Sequence, residues 1–445
     1  MSLITLKNSL DEKSKEELID EYIELYKKND NLKKEKEKLE RELKKYKNPN
    51  TPSSASKYFH DNTNGLKAKI GTRRGAPVGH KGNTIILPEP DKIIHVRAKE
   101  CSCCHGKNIN PTGYVKERKL FRLTIKSIPV QYNLHEYRCE DCSNLTLSSH
   151  PDIPENGIYD KNILSLVNYL KFEARIPIKI ITDFMNNICS VPMTGTTAYN
   201  ITVNTGQKLK QKYENLGREI RKEGIVNADE TSMSVLGNNN WIWVFSTKLK
   251  TFFRFNKERG GKIVEDTLGR DFKGIVVADG WRTYKVYCED NKIRLQRCWS
   301  HGIREVKFEC KEKYPELYKW FCNIFSLAKK GSVCKKEKTR QAYYQICRNE
   351  LKRWVGVANS HQDVRKLAVK IKNGGDNWFT AVLYPEAPFD NNEAERSLRS
   401  FVIIRKIIGC LRSERGKETY EIMLSLISTW NKQHKNVFYM LRTLL

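Results

Sequence analysis

Gly224-Ile225-Val226-Asn227-Ala228-Asp229-Glu230-Thr231 reads as an apolar strand carrying a carboxylate, and Gly274-Ile275-Val276-Val277-Ala278-Asp279-Gly280 repeats that arrangement further along the chain. Between them, Asn240-Trp241-Ile242-Trp243-Val244-Phe245-Ser246 and Thr251-Phe252-Phe253-Arg254-Phe255 are aromatic and β-branched, the composition of strands. Lys248-Leu249-Lys250 supplies the turn between these two, and a short helix is expected over 262–268. Three antiparallel strands, a helix and a buried strand ending in Asp predict an α/β catalytic domain. Most single carboxylates are solvated surface charges. An unpaired charge inside an apolar strand is costly, however, which makes Asp229 and Asp279 candidates for function.

This element order is that of an RNase H-like fold, expected in two parts over 223–310 and 386–445. Carboxylates converging from adjacent strands suit two Mg²⁺ ions about 3.5–4 Å apart, which assist phosphodiester cleavage at the attacking and departing oxygens. The third carboxylate is sought in Asp390-Asn391-Asn392-Glu393-Ala394-Glu395-Arg396-Ser397-Leu398-Arg399. There Asp390 is expected to cap a helix whose buried face includes Ala394 and Leu398. Glu395 lies one turn from Asn391 and Arg399, and Arg396, Arg399, Arg405, Lys406, Arg412 and Arg415 make a basic strip suited to phosphates; Asn391, Arg396, Arg399, Arg405 and Lys406, with His301 and Arg304, are candidate DNA contacts. Glu230 and Glu393 are read as neighbours of the site or as exposed. Glu395 lies 116 positions after Asp279, far more than one strand–helix unit needs. The excess, 311–385, has apolar stripes at Leu317, Phe321, Ile324 and Leu327 and at Tyr343, Tyr344, Ile346, Leu351 and Trp354. It predicts an all-helical insertion that holds DNA or serves packing alone.

The N-terminal third is organised differently. Residues 12–47, within a unit spanning 1–50, carry Leu18, Leu25, Leu32 and Leu39 seven apart, with Asn29 on the other seam. This is the pattern of a short dimeric coiled coil, or of a solvated single helix. A linker over 51–95 includes Arg73-Arg74-Gly75-Ala76-Pro77-Val78-Gly79-His80-Lys81-Gly82, in which Arg73, Arg74, His80 and Lys81 are candidate DNA contacts. Within 96–150, Cys101-Ser102-Cys103-Cys104 and Cys139-Glu140-Asp141-Cys142 are paired as in a zinc ribbon. Cys101, Cys104, Cys139 and Cys142 are the candidate Zn²⁺ ligands and Cys103 the spare. Strands are expected at Tyr114-Val115 and Ile128–Tyr132. Apolar residues at helical spacing over 151–222, with a turn at 191–195 before a helix starting near Thr196, predict a helix-turn-helix-like unit or a structural helical segment.

Composition narrows the classes. The 445 residues carry 80 Lys+Arg against 52 Asp+Glu, a formal charge of +28, which favours a polyanionic partner such as nucleic acid. No stretch approaches 18 consecutive apolar residues, so a membrane partner is not expected. Met1-Ser2-Leu3-Ile4-Thr5-Leu6-Lys7 is charged too soon to act as a secretory signal. Thirteen cysteines, mostly scattered singly, argue for a reducing compartment rather than a disulfide framework.

Several of these pieces together resemble the IS66 family of insertion-sequence transposases over nearly the full length. They are the heptad segment, Pro52-Ser53-Ser54, Gly79-His80-Lys81-Gly82, the two CxxC pairs, Ala228-Asp229-Glu230-Thr231, Ala278-Asp279-Gly280, Cys298-Trp299-Ser300-His301, and Asp390-Asn391-Asn392 with Ala394-Glu395-Arg396. The resemblance implies a DDE transposase in which Asp229, Asp279 and Glu395 match the metal ligands. It further implies DNA partners (terminal inverted repeats and target), a homodimer or larger synaptic assembly, accessory proteins of the element, and a prokaryotic cytoplasmic, nucleoid-associated setting. Cys298 and His301 read as a buried structural pair, or as a His touching DNA, in preference to zinc ligands. The chain departs from the family pattern at Ile303-Arg304, where two arginines are usual, and at Ile404-Arg405-Lys406-Ile407, where Gly-Arg-Lys-Asn is usual. The rival readings are a zinc-containing DNA binder that no longer cuts and an RNase H-like nuclease without joining activity.

Overall fold

The computed structural model describes Glu24 and residues 28–32, 35–36, 89–123, 125–154 and 157–445. The chain divides into two compact units, Met1–Arg122 and Leu123–Leu445. In the first, Glu24 and residues 28–32 and 35–36 are helical. The rest of the heptad segment, including Leu18, Leu25 and Leu39, and the arm with Arg73, Arg74, His80 and Lys81 lie outside the described residues. Residues 89–122 hold a tight turn at the first CxxC pair and no helix or strand. Tyr114-Val115 is therefore not a strand, and in the second unit neither is Ile128–Tyr132. The hairpin is instead β1 (Glu136–Arg138) with β2 (Leu145–Leu147), which brackets the second CxxC pair.

The second unit is built on a mixed sheet. Strand β3 (Ile225–Val235) runs past the expected end of its apolar segment. Leu236 and Gly237 then turn the chain back, both with positive φ (52° and 80°), the backbone of a two-residue hairpin turn. Antiparallel β4 (Asn238–Ser246) and β5 (Thr251–Asn256) follow, then helix α4 (Lys262–Leu268). Strands β6 (Ile275–Ala278) and β7 (Arg294–Arg297) add in parallel, giving the order β5-β4-β3-β6-β7.

Alternation along β3 sorts its neighbours. Asn227 and Asp229 look toward α11 (Asn392–Ile408), and Ala228 and Glu230 look toward α5 (Arg282–Asp290). Helix α11 buries Ala394, Leu398, Phe401 and Ile404 at three- and four-residue spacing. Phe401 packs edge-on against Phe253 at 4.9 Å and Phe255 at 5.5 Å.

The edge strand β5 is closed by side chains. In α12 (Glu414–Lys432), Glu421, Ser425 and Thr429 lie one turn apart and accept from the backbone N–H groups of Phe255 (3.2 Å), Phe253 (2.9 Å) and Thr251 (3.0 Å). An exposed strand edge invites pairing with other chains, and this helix uses up its donors. Upstream, α1 (Lys161–Asn168), α2 (Ile178–Asn187) and α3 (Gly195–Ile220) correspond to the helix-turn-helix-like segment. The third helix is long, and its Leu209, Leu216 and Ile220 join the core of the sheet. Residue 222 is thus no boundary in packing.

The expected insertion is helical throughout. After α6 (Trp299–Cys310) come α7 (Pro315–Ser332), α8 (Glu337–Ser360), α9 (Arg365–Gly374) and α10 (Thr380–Leu383), with a core of their own. Ile346 is exposed, and Cys347 takes the buried position next to it. The insertion is fastened to β7 by polar contacts: Ala381 N–H donates to Gln296 Oε1 at 2.7 Å and Thr380 Oγ1 to Leu295 O at 2.6 Å. Trp378 fills a cradle between Gly302 and Gly374, where any Cβ would collide with its indole.

Candidate active site

The register of β3 and β6 pairs Asn227 with Val277. That pair ends the parallel ladder: Asp229 lies two residues further along β3, and Asp279 lies two residues beyond Val277, just past the end of β6. Each aspartate is oriented by a local backbone donor. Glu230 N–H donates to Asp229 Oδ1 at 2.9 Å, and Trp281 N–H to Asp279 Oδ1 at 2.8 Å. Helix α11 brings Glu395 to the same sheet face. The Asp229 carboxyl is held well above the usual carboxylate range, first by removal from water and then by the negative charges of Glu230, Asp279 and Glu395. The three candidate carboxylates therefore act on one another.

Glu395 Oε1 is buried without a hydrogen-bond partner. His301 Nε2 lies 3.5 Å from it. His301 Nδ1 in turn lies 3.2 Å from Cys298 Sγ, which also accepts from Asn391 N–H at 3.2 Å. Cys298 and His301 thus link the end of β7 to Glu395.

Asn391 is a correction. Its side chain is fully buried, donating to Ala228 O at 2.7 Å and accepting from Asn227 Nδ2 at 3.0 Å. A side chain so committed ties the start of α11 to β3 and leaves nothing for DNA. Arg405 is also engaged, half-buried with Nη1 donating to Ser232 O and to Thr231 Oγ1 (3.3 Å). Arg396 is paired with Glu393, whose other oxygen meets Lys432 Nζ at 2.9 Å. Arg399, Lys406, Arg304, Arg412 and Arg415 are exposed. Asp390 is not the cap residue expected: the N-cap is Asn391, without a side-chain cap bond, and Asp390 lies one residue before it, accepting from Asn392 N–H at 3.1 Å.

On the opposite face of β3, Glu230 is buried and receives Arg259 Nη2 at 2.6 Å and Tyr284 Oη at 2.6 Å. Arg259 stacks between Trp241 (4.5 Å) and Trp281 (3.9 Å). No local pattern marks Arg259 for this role, since it sits in a loop. Beyond Asp279, Gly280 admits the Arg297 guanidinium so closely that a Cβ there would come within 2.5 Å of Nη2. Arg297 stacks in turn on Trp378 at 4.5 Å.

The CxxC pairs form matching knuckles, one in each unit. Cys101 N–H donates to Gly106 O (2.9 Å) and His105 N–H to Cys101 O (3.0 Å). Cys139 N–H donates to Asn144 O (2.8 Å) and Ser143 N–H to Cys139 O (2.9 Å). His105 and Ser143 hold equivalent left-handed positions, with φ of 57° and 61°. The match pairs Cys104 with Cys142 and leaves Cys103 opposite Asp141. Backbone donors lower the thiol pKa of both leading cysteines: Cys104 then Cys103 N–H for Cys101, and Cys142 then Asp141 N–H for Cys139. Among the described residues, no group of three or more His, Cys, Asp or Glu side chains is preassembled to hold a metal.

Compared with known proteins, residues 156–419, more than half of the chain, match the family model of the IS66 family transposases. The chain belongs to the IS66 transposase family. Two relatives come from Sinorhizobium fredii. The uncharacterized protein y4jD is 21% identical over 388 residues, covering 77% of this chain and 73% of that protein. The uncharacterized protein y4jO is 31% identical over 85 residues, 19% of this chain and 26% of that protein. The IS66 match takes in Asp229, Asp279, His301 and Glu395. Among the described residues of this IS66 transposase, no helix is long and apolar enough to cross a membrane.

Proposed function

We propose that this IS66 family transposase cuts DNA at transposon ends and joins the freed ends to target DNA, using Asp229, Asp279 and Glu395 on an RNase H-like domain. The observation that carries the reading is that Asp279 and Glu395 both bear on the buried Asp229 carboxyl, together with the unbonded, buried Oε1 of Glu395. A buried oxygen without a donor is costly unless a cation meets it, so Glu395 is suited to meet a divalent ion. Among the described residues no three such groups stand close enough to hold a metal as they are, so binding it must draw Asp229, Asp279 and Glu395 together. Two Mg²⁺ held by the three carboxylates would raise the nucleophilicity of water and relieve charge on the departing oxygen. The protein's own part is orientation. Backbone N–H groups of Glu230 and Trp281 fix one oxygen of each aspartate, and His301 steadies Glu395. The exposed Arg304, Arg399 and Lys406 meet phosphates on either side of the cut. The 3′-OH released at the transposon end then attacks a target phosphodiester by in-line displacement, with no covalent protein–DNA stage.

Each knuckle offers two sulfurs, Cys101 and Cys104 in one and Cys139 and Cys142 in the other, as candidate thiolate ligands for structural Zn²⁺. The terminal repeats are read by the knuckles and the α1–α3 segment. The heptad segment supports a dimer or larger synaptic assembly, in which accessory proteins of the element take part.

The test is Mg²⁺-dependent nicking and strand transfer of end DNA into a plasmid, comparing the full chain with Asp279→Ala. The wild type should nick and join while the variant does neither. Nicking that persists in Asp279→Ala removes the assignment, and nicking without joining makes the protein a nuclease.

A further inference from the structure

Trp281 has no task in the scheme above beyond its backbone. It follows Asp279 by two residues, and its N–H is fixed on Asp279 Oδ1. The residue is 37% exposed, whereas Trp243, Trp299, Trp354 and Trp378 are wholly buried. One face of the ring is held, because the Arg259 guanidinium stacks 3.9 Å from its centroid and on Trp241 beyond. That guanidinium is itself pinned by the buried Glu230. The exposed ring is therefore the end of a rigid Trp241–Arg259–Trp281 stack anchored to the strand that carries Asp229. Any phosphate engaged at Asp279 has its own bases within reach of a side chain two residues along. Every base in a duplex is already stacked on its neighbours, so a free aromatic face can take only one that has left the helix.

We propose that Trp281 is a stacking platform for a base displaced from the duplex beside the phosphodiester that is cut. The proposal rests on the DNA-cutting reading above. Trp281 acts on substrate geometry, without touching the reacting atoms.

The experiment measures single-turnover cutting by the full chain, Trp281→Ala and Trp281→Phe on two sets of duplexes bearing the terminal repeat that flanks the gene. One set is intact, and the other has an abasic site at either nucleotide bordering the cut. Losing one base–aromatic stack should slow Trp281→Ala about tenfold on intact DNA. Trp281→Phe should stay near the wild-type rate. On the abasic duplex that removes the displaced base, Trp281→Ala should match the wild type, because no base is left to hold. The proposal is overturned if Trp281→Ala cuts intact DNA at the wild-type rate. It is also overturned if it is slowed equally on every duplex, which is what a ring serving only to brace Arg259 would give. If the wild-type protein cuts none of them, the DNA-cutting reading itself fails and takes the platform with it.

Discussion

Glu395 has one neighbour able to steady it, and the chain from Cys298 Sγ through His301 to Glu395 Oε1 (3.2 and 3.5 Å) explains how. The contact of Nδ1 with Cys298 sets the plane of the imidazole and turns Nε2 toward the carboxylate. Groups that orient a metal-binding carboxylate typically matter 10- to 100-fold. His301→Ala should therefore cut DNA about 10- to 100-fold more slowly with an unchanged melting profile, and His301→Gln, which keeps a donor, should recover part of the loss. Wild-type cutting by His301→Ala would remove His301 from the site. A second residue bears on stability. Burial, the largest cause, lifts the Glu421 carboxyl to about 7, against hydrogen bonds from Tyr213 and Phe255 N–H that favour its ionised form. Its pKa in the unfolded chain is near 4.5. The folded state thus holds a proton that the unfolded state loses. This stabilising contribution is complete below pH 4.5 and fades as pH rises through about 7. Glu421→Gln, which still offers an acceptor to Phe255 N–H, should flatten that decline when urea midpoints are compared at pH 5 and pH 8.

Among the elements, α11 does two tasks at once, bringing Glu395 to the sheet and filling the core under β5. Removing its central ring in Phe401→Ala, fully buried against Phe253 and Phe255, should cost about 3–5 kcal/mol by chemical denaturation. Cutting would then be lost only as far as the protein unfolds. Helix α11 was legible from its apolar spacing, and β3 to β6 from their apolar runs, because those elements bury one continuous type of surface. Strand β7 was not: Arg294-Leu295-Gln296-Arg297 looks polar, yet Gln296 is fully buried. Its partners, the backbone of Trp378 and Ala381, lie more than eighty residues on, so no local pattern announces it. The same holds for Asn391, whose polar side chain suggested DNA until its partners on β3 were known. Asp229 and Asp279 were legible because a carboxylate in an apolar strand stands out. The His301 link was not, since it depends on how α6 meets α11.

At the scale of the molecule, the excess of basic residues predicts strongly salt-dependent DNA binding. A protein meeting six to ten phosphates loses about a thousandfold or more in affinity between 50 and 200 mM salt, and a fluorescence anisotropy titration would show it. The helical insertion is not a detachable module. Its removal would leave Leu295 O, the Gln296 side chain and the Trp299 indole N–H without their partners, so a chain with 311–385 replaced by a short linker should fail to melt cooperatively by circular dichroism. A last consequence concerns inheritance. Gly280 receives Arg297, Arg297 leans on Trp378, and Trp378 is seated between Gly302 and Gly374. As copies of an element diverge, a side chain gained at 280, 302 or 374 is blocked until the large partner has first become smaller. The order of substitutions in descendant copies should carry that constraint, with losses at 297 or 378 preceding any gain at the three glycines.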